Sequence, residues 1–121
     1  MILSLHHAQL TVPKGAEEQA REFYCGRLGL TEIPKPEALR SRGGFWLELG
    51  SVQIHVGVED GVDRLKTKAH LGFEVDDLEA MRALLRKLGL EISEGERIPG
   101  LTRFELRDPF GNRMEFVQRV R

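Results

Sequence analysis

The chain reads as an α+β protein made of two tandem βαβββ modules, and three observations predict it. The first is an internal repeat. His7-Ala8-Gln9-Leu10-Thr11-Val12 is echoed by His70-Leu71-Gly72-Phe73-Glu74-Val75, and Leu28-Gly29-Leu30 by Leu88-Gly89-Leu90. Trp46-Leu47-Glu48-Leu49 is echoed by Arg103-Phe104-Glu105-Leu106, and Gln53-Ile54-His55-Val56 by Arg113-Met114-Glu115-Phe116. The second is periodicity: two-residue alternation surrounds one helical stretch in each half. The third is punctuation, because Gly, Pro, Asn and Asp cluster between the alternating segments.

Leu5 to Val12 alternates as a strand does and is broken by Pro13-Lys14-Gly15. Ala16 to Arg27 carries Ala20, Phe23, Tyr24 and Leu28 at helical spacing, with Glu17 and Glu18 in the first turn and Gly29 as the stop. Thr31 to Ile33 is a short strand and Pro34 to Gly44 a loop. Phe45 to Leu49 and Val52 to Val58 form a hairpin joined at Gly50-Ser51. Polar residues 59 to 68 link the modules. The second module repeats the order: strand Ala69 to Val75, helix Asp77 to Leu88, strand Glu91 to Ser93, then a hairpin of Thr102 to Arg107 and Asn112 to Val117. Asp76 or Asp77 caps its helix, whose Leu78, Met81, Leu84, Leu85 and Leu88 make one apolar face. The modules span 1–60 and 67–121 of a single domain, 1–121.

Size and charge bound the function. A chain of 121 residues, 40% hydrophobic, buries a core without staples. Its 18 Lys and Arg offset 19 Asp and Glu, so neither nucleic acid nor a membrane surface is an expected partner. One cysteine, Cys25, allows no internal disulfide and reads as a packed small residue. The N-terminal residues read as no signal segment and no stretch approaches transmembrane length, so a cytoplasmic protein is expected.

Side chains alternate across a strand. His7, His55, His70 and Glu115 therefore fall on the more polar faces of the first and last strands of the two modules, while the apolar faces pack against the helices. His6 faces the other way and reads as structural. Imidazole nitrogen and carboxylate oxygen suit divalent first-row metals, and Zn, Ni, Fe and Mn are the candidates. Three His and one Glu leave room for water or a bidentate substrate, and a loosely held carboxylate, Glu115, can move a proton. A tight turn at Gly50-Ser51 sets Trp46 opposite His55 and Glu48 opposite Gln53. The repeat then sets Arg103 opposite Glu115 and Glu105 opposite Arg113. Trp46, Arg103, Glu48 and Gln53 are thus substrate-binding candidates; Arg103 either holds an anionic substrate group or pairs with a neighbouring acid.

These residues, and above all Asp108-Pro109-Phe110-Gly111-Asn112-Arg113-Met114-Glu115-Phe116, resemble the vicinal oxygen chelate superfamily over essentially the whole chain. That superfamily contains glyoxalase I, extradiol dioxygenases, methylmalonyl-CoA epimerase and fosfomycin- and bleomycin-resistance proteins. The resemblance implies a U-shaped, mostly antiparallel sheet with helices on its convex face, around a divalent metal, in a homodimer. His7, His70 and Glu115 match the two-His-one-carboxylate ligands of the dioxygenases and the fosfomycin enzymes. His55 stands where glyoxalase I has Glu or Gln, which argues against glyoxalase I activity itself. The implied function is a metal-dependent lyase, isomerase or dioxygenase on a small oxygen-rich substrate. The alternative is a dimeric small-molecule or antibiotic-binding protein without turnover.

Overall fold

The computed structural model describes residues 1–120. Eight strands and two α-helices follow the order β1 (His7–Val12), α1 (Glu17–Arg21), β2 (Thr31–Ile33), β3 (Phe45–Leu49), β4 (Val52–Val58), β5 (His70–Glu74), α2 (Leu78–Lys87), β6 (Ser93–Glu94), β7 (Leu101–Arg107) and β8 (Arg113–Arg119). The chain divides into two compact units, one ending at Val62 and the other beginning at Asp63. Each holds a four-stranded mixed sheet. The strand orders, β1-β4-β3-β2 and β5-β8-β7-β6, are the same permutation, so the sequence repeat is a repeat of topology. In each, the first strand in the chain, β1 or β5, runs parallel to its neighbour and the other pairings are antiparallel.

In the first unit Val12, Ala20, Phe23, Tyr24, Phe45, Leu47, Ile54 and Val56 are buried. Ala20, Phe23 and Tyr24 come from the predicted helical stretch, but that stretch is not uniform. After Arg21 it widens into a π-helical segment, Glu22–Arg27, closed by Leu28 N–H on the Phe23 carbonyl at 3.0 Å. The added residue per turn lets Phe23 and Tyr24 both face inward, edge to face at 5.0 Å. The predicted loop 34–44 contains a 3₁₀ segment, Glu37–Arg42.

In the second unit Phe73, Phe104 and Phe116 stack across three adjacent strands, with centroids 5.6 and 5.5 Å apart, beside Leu106, Met114, Leu78 and Leu85. Asp77 caps α2 by accepting Ala80 N–H at 3.0 Å, and Gln118 accepts Leu78 N–H at 2.8 Å, satisfying two of the helix's orphan donors. Leu84, expected on the buried face, is 45% exposed; the buried stripe is the narrower Leu78–Leu85 line. Both Leu-Gly-Leu repeats end helices through a glycine at φ 76 (Gly29) and 81 (Gly89), the left-handed stop that other residues resist.

The first hairpin has the expected register, Trp46 opposite His55 and Glu48 opposite Gln53. The second does not. Arg103 lies opposite Val117, Glu105 opposite Glu115 and Arg107 opposite Arg113. The cause is the turn. Gly50-Ser51 is a two-residue connection, whereas Asp108 to Asn112 is a five-residue loop that the repeat argument did not allow for. Asp108, 4% exposed, ties that loop: its Oδ1 accepts Phe110 and Asn112 N–H at 2.9 and 2.8 Å, and its Oδ2 the Asn112 amide at 2.8 Å. The shift is an even number of residues, so every side chain keeps its predicted face.

Candidate functional site

The polar faces are built alike in the two units. His7 lies opposite Gln53 and His70 opposite Arg113, and each histidine leans diagonally to the residue two further along the neighbouring strand. That residue is His55 in the first unit and Glu115 in the second. The four metal candidates therefore form two pairs.

In the second unit, His70 Nδ1 lies 2.9 Å from the Lys68 carbonyl, which can only accept, so the ring proton belongs on Nδ1. His70 Nε2 then presents a lone pair to Glu115 Oε2 at 3.2 Å. A lone pair facing a carboxylate oxygen needs a proton or a cation between them. A backbone carbonyl that orients an imidazole while its other nitrogen meets a carboxylate is a common way to present metal ligands. The other carboxylate oxygen, Glu115 Oε1, accepts Arg103 Nη1 at 2.8 Å, and Arg103 Nε donates to the Glu96 carbonyl at 3.1 Å. Gly72 faces Glu115 across β5 and β8 with nothing within 4 Å of where a Cβ would stand, so the space beside the carboxylate is open. Imidazole nitrogen and carboxylate oxygen are donor types that suit a divalent first-row ion, and this pair supplies two of them.

Glu105 and Glu115 are directly opposite, which would be repulsive if neither were paired. The repulsion is relieved by crossed ion pairs, Arg103 with Glu115 and Arg113 with Glu105. The Arg113 guanidinium hydrogen-bonded to Glu105 holds that carboxyl below its usual range. Arg103 thus commits one donor to Glu115 and one to Glu96, which is the pairing with a neighbouring acid that the sequence offered as one of its two readings.

In the first unit His55 is 6% exposed and sandwiched. The Trp46 ring lies parallel on one side with centroids 3.9 Å apart, and His7 stacks at 4.1 Å with planes 15° apart. His55 Nε2 donates to Gln53 Oε1 at 2.9 Å. Burial, then the neighbouring His7, His6 and Lys35, push its pKa down, so the ring is held neutral. Imidazole lone pairs lie in the ring plane, and two nearly parallel planes share no nearby point. In this stack His7 and His55 cannot both point at one ion; one ring would have to turn. Among the described residues no group of three or more His, Cys, Asp or Glu is arranged to hold a metal.

His6 departs from its expected facing. It precedes β1, so alternation does not govern it, and its Nδ1 lies 3.0 Å from His7 Nδ1. His6, His7, Trp46 and His55 line a hollow of about 450 Å³ on the first unit, together with Lys35 and Arg42. Sequence reasoning missed Lys35 and Arg42 because they sit in the segment read as a plain loop. The signal was the basic run around Gly43-Gly44. Glu48 is exposed and does not line this hollow, nor does Gln53, whose Oε1 accepts from His55. A larger hollow, about 1230 Å³, lies on the second unit between the ends of β5 and β8 and the start of α2. None of the candidate residues lines it, so volume and chemistry part company and the chemistry decides.

No helix of the described residues is long and apolar enough to cross a membrane. The model of the Glyoxalase/Bleomycin resistance protein/Dioxygenase superfamily matches residues 4–116. No curated protein matches the chain. Among solved structures it is similar to a glyoxalase family protein from Bacillus anthracis, with 41% identity, 99% of this chain and 98% of that one covered, and a TM-score of 0.93. It is also similar to the fosfomycin resistance protein FosX from Listeria monocytogenes (18% identity, 99% and 96% covered, TM-score 0.75). A third similar structure is lactoylglutathione lyase from Agrobacterium tumefaciens (18%, 95% and 92%, TM-score 0.74). At such identity the last two speak to the fold.

Proposed function

The chain belongs to the glyoxalase/bleomycin resistance protein/dioxygenase superfamily, and from that premise we propose that it is a metal-dependent enzyme, a lyase, isomerase or dioxygenase, acting on a small oxygen-rich substrate. The observation that carries the reading is the His70–Glu115 pair, a lone pair set against a carboxylate oxygen at 3.2 Å with the partner atoms of both groups already occupied. His70 Nε2 and Glu115 Oε2 are the proposed ligands, and His7 and His55 are the remaining candidates.

A divalent ion bound there would polarise a carbonyl or diol of the substrate and make the adjoining proton more acidic. The chain's own residues do the rest. Lys68 fixes the imidazole tautomer, Arg103 holds one oxygen of Glu115, and the open space beside Gly72 admits substrate to the other. Glu115 is the group placed to take and return a proton. We also place the working form as a homodimer.

The test is metal content per chain, measured by elemental analysis on protein purified without chelator or affinity nickel. Wild type should carry about one Fe, Mn, Ni or Zn, and Glu115→Ala and His70→Ala should lose it while keeping their circular dichroism. Metal retained by both variants would overturn the assignment. The second reading, a binding protein without turnover, is favoured by the Trp46–His55–His7 stack, an aromatic row lining the hollow of the first unit. Tight small-molecule binding that survives a chelator, with no metal in wild type after reconstitution, would select it.

A further inference from the structure

We propose that the hollow on the first unit is a receptor for an oxyanion, a carboxylate, phosphonate or phosphate carried by the substrate, with Lys35 and Arg42 as its binding groups. The proposal rests on the functional reading above only in taking the small molecule bound here to be a substrate, and it adds the chemical class which that molecule must have.

Charge selects the ligand. The chain has 19 acidic and 18 basic residues, yet no Asp or Glu lines this hollow, whereas Lys35, Arg42, His6, His7 and His55 do. In the same unit Arg21 is paired with Glu18 and Glu32 and Arg27 with Glu22, whereas Lys14 and Arg40, which make no ion pair among the described residues, do not line the hollow. Arg42 has no ion-pair partner among the described residues, so its planar fork of donors is available for the bidentate geometry that oxyanions accept. Lys35 donates one of its three ammonium protons to the Gly43 carbonyl, which anchors the group at the rim and leaves two for a ligand.

The backbone supports the arrangement. The 3₁₀ segment Glu37–Arg42 is brought down onto β4 through Gly43 and Gly44, at φ 76 and 82. A Cβ on Gly44 would lie 2.1 Å from the Val56 carbonyl oxygen, and one on Gly43 would meet Val58 Cγ2 at 3.0 Å. Only glycine permits that approach, and the approach is what sets Arg42 and Lys35 over the polar face of the sheet.

Trp46 is the only tryptophan, and it lines the hollow, so its fluorescence reports occupancy directly. The whole chain, stripped of metal and kept in chelator, is titrated with phenylphosphonate, benzoate and neutral benzamide at constant ionic strength. The anions should change the Trp46 emission saturably and bind at least about tenfold tighter than benzamide. Arg42→Gln and Lys35→Met should each weaken the anions about tenfold, roughly 1.4 kcal/mol, without changing benzamide, and Lys35→Arg should restore most of the loss. Lys87→Met, on exposed surface at the end of α2, should leave binding unchanged. Equal binding of benzamide, no saturable response, unchanged affinity in the two variants, or an equal loss from Lys87→Met would each overturn the proposal. Because no metal is present in the assay, failure of the metal-enzyme reading leaves this result standing, and the reverse holds too.

Discussion

Replacing Arg103 by Met removes one of the two groups that hold Glu115. The methionine keeps much of the aliphatic stem but loses the 2.8 Å bond from Nη1 to Glu115 Oε1 and the 3.1 Å bond from Nε to the Glu96 carbonyl. An exposed ion pair contributes at most about 1 kcal/mol, whereas deleting one partner of a fully buried pair costs roughly 3–5 kcal/mol. The Arg103 and Glu115 side chains are 18% and 12% exposed, which lies between those limits. A loss of about 2 kcal/mol is therefore expected; at roughly 2.1 cal/mol/K of unfolding entropy per residue, that lowers Tm by about 8 °C in a chain of this length. Thermal unfolding followed by circular dichroism measures it, and a double-mutant cycle with Glu115→Gln isolates the pair, with an expected coupling of about 1–2 kcal/mol. The same variant frees the carboxylate to rotate, so the affinity for added metal should fall roughly 10–100-fold while the fold persists. Coupling indistinguishable from zero, or metal affinity equal to wild type, would refute the claim that Arg103 positions Glu115.

Two other outcomes follow from the charges around the site and the lone thiol. Glu105 is held below its usual value of 4.5, chiefly by its hydrogen bond to Arg113, so the unfolded chain binds its proton first as pH falls. Its contribution is complete above about pH 4.5 and is lost as pH drops through the folded value; Glu105→Gln should flatten the decline of Tm in that acid range, and an unchanged decline would show that other carboxylates dominate it. Burial, with Glu32 nearby, pushes the Cys25 thiol up, leaving little thiolate at neutral pH. Ellman's reagent should therefore modify folded Cys25 at least several-fold more slowly than free cysteine, and an equal rate would reopen a nucleophilic role.

Much of the fold was legible because its signals are local. Alternation marks β1, β3, β4, β5, β7 and β8, the Leu-Gly-Leu repeats mark two helix ends, and Asp77 marks a helix start. The repeat also carried the candidate ligands to equivalent strands, since topology copied twice places residue and residue alike. What failed did so where the determinant was the geometry of a short segment, which periodicity does not encode. The register of β7 on β8 depended on how Asp108 folds the following loop around its own carboxylate, which composition alone does not show. The π-helical turn after Arg21 depended on seating Phe23 and Tyr24 together.

By itself, then, the sequence determined the class of the protein, two βαβββ modules, and which face of β1, β4, β5 and β8 carries the polar residues, His7, His55, His70 and Glu115 among them. These follow from periodicity and side-chain chemistry, which need no partner in space. The tertiary structure decided the pairing. It paired Arg103 with Glu115, stacked His55 between Trp46 and His7, and turned His70 Nε2 toward Glu115 by tying Nδ1 to Lys68. It also carried Lys35 and Arg42 to the hollow beside His7. Which donor meets which acceptor depends on strand register and on glycines that let backbones touch, quantities that exist only once the chain has closed on itself.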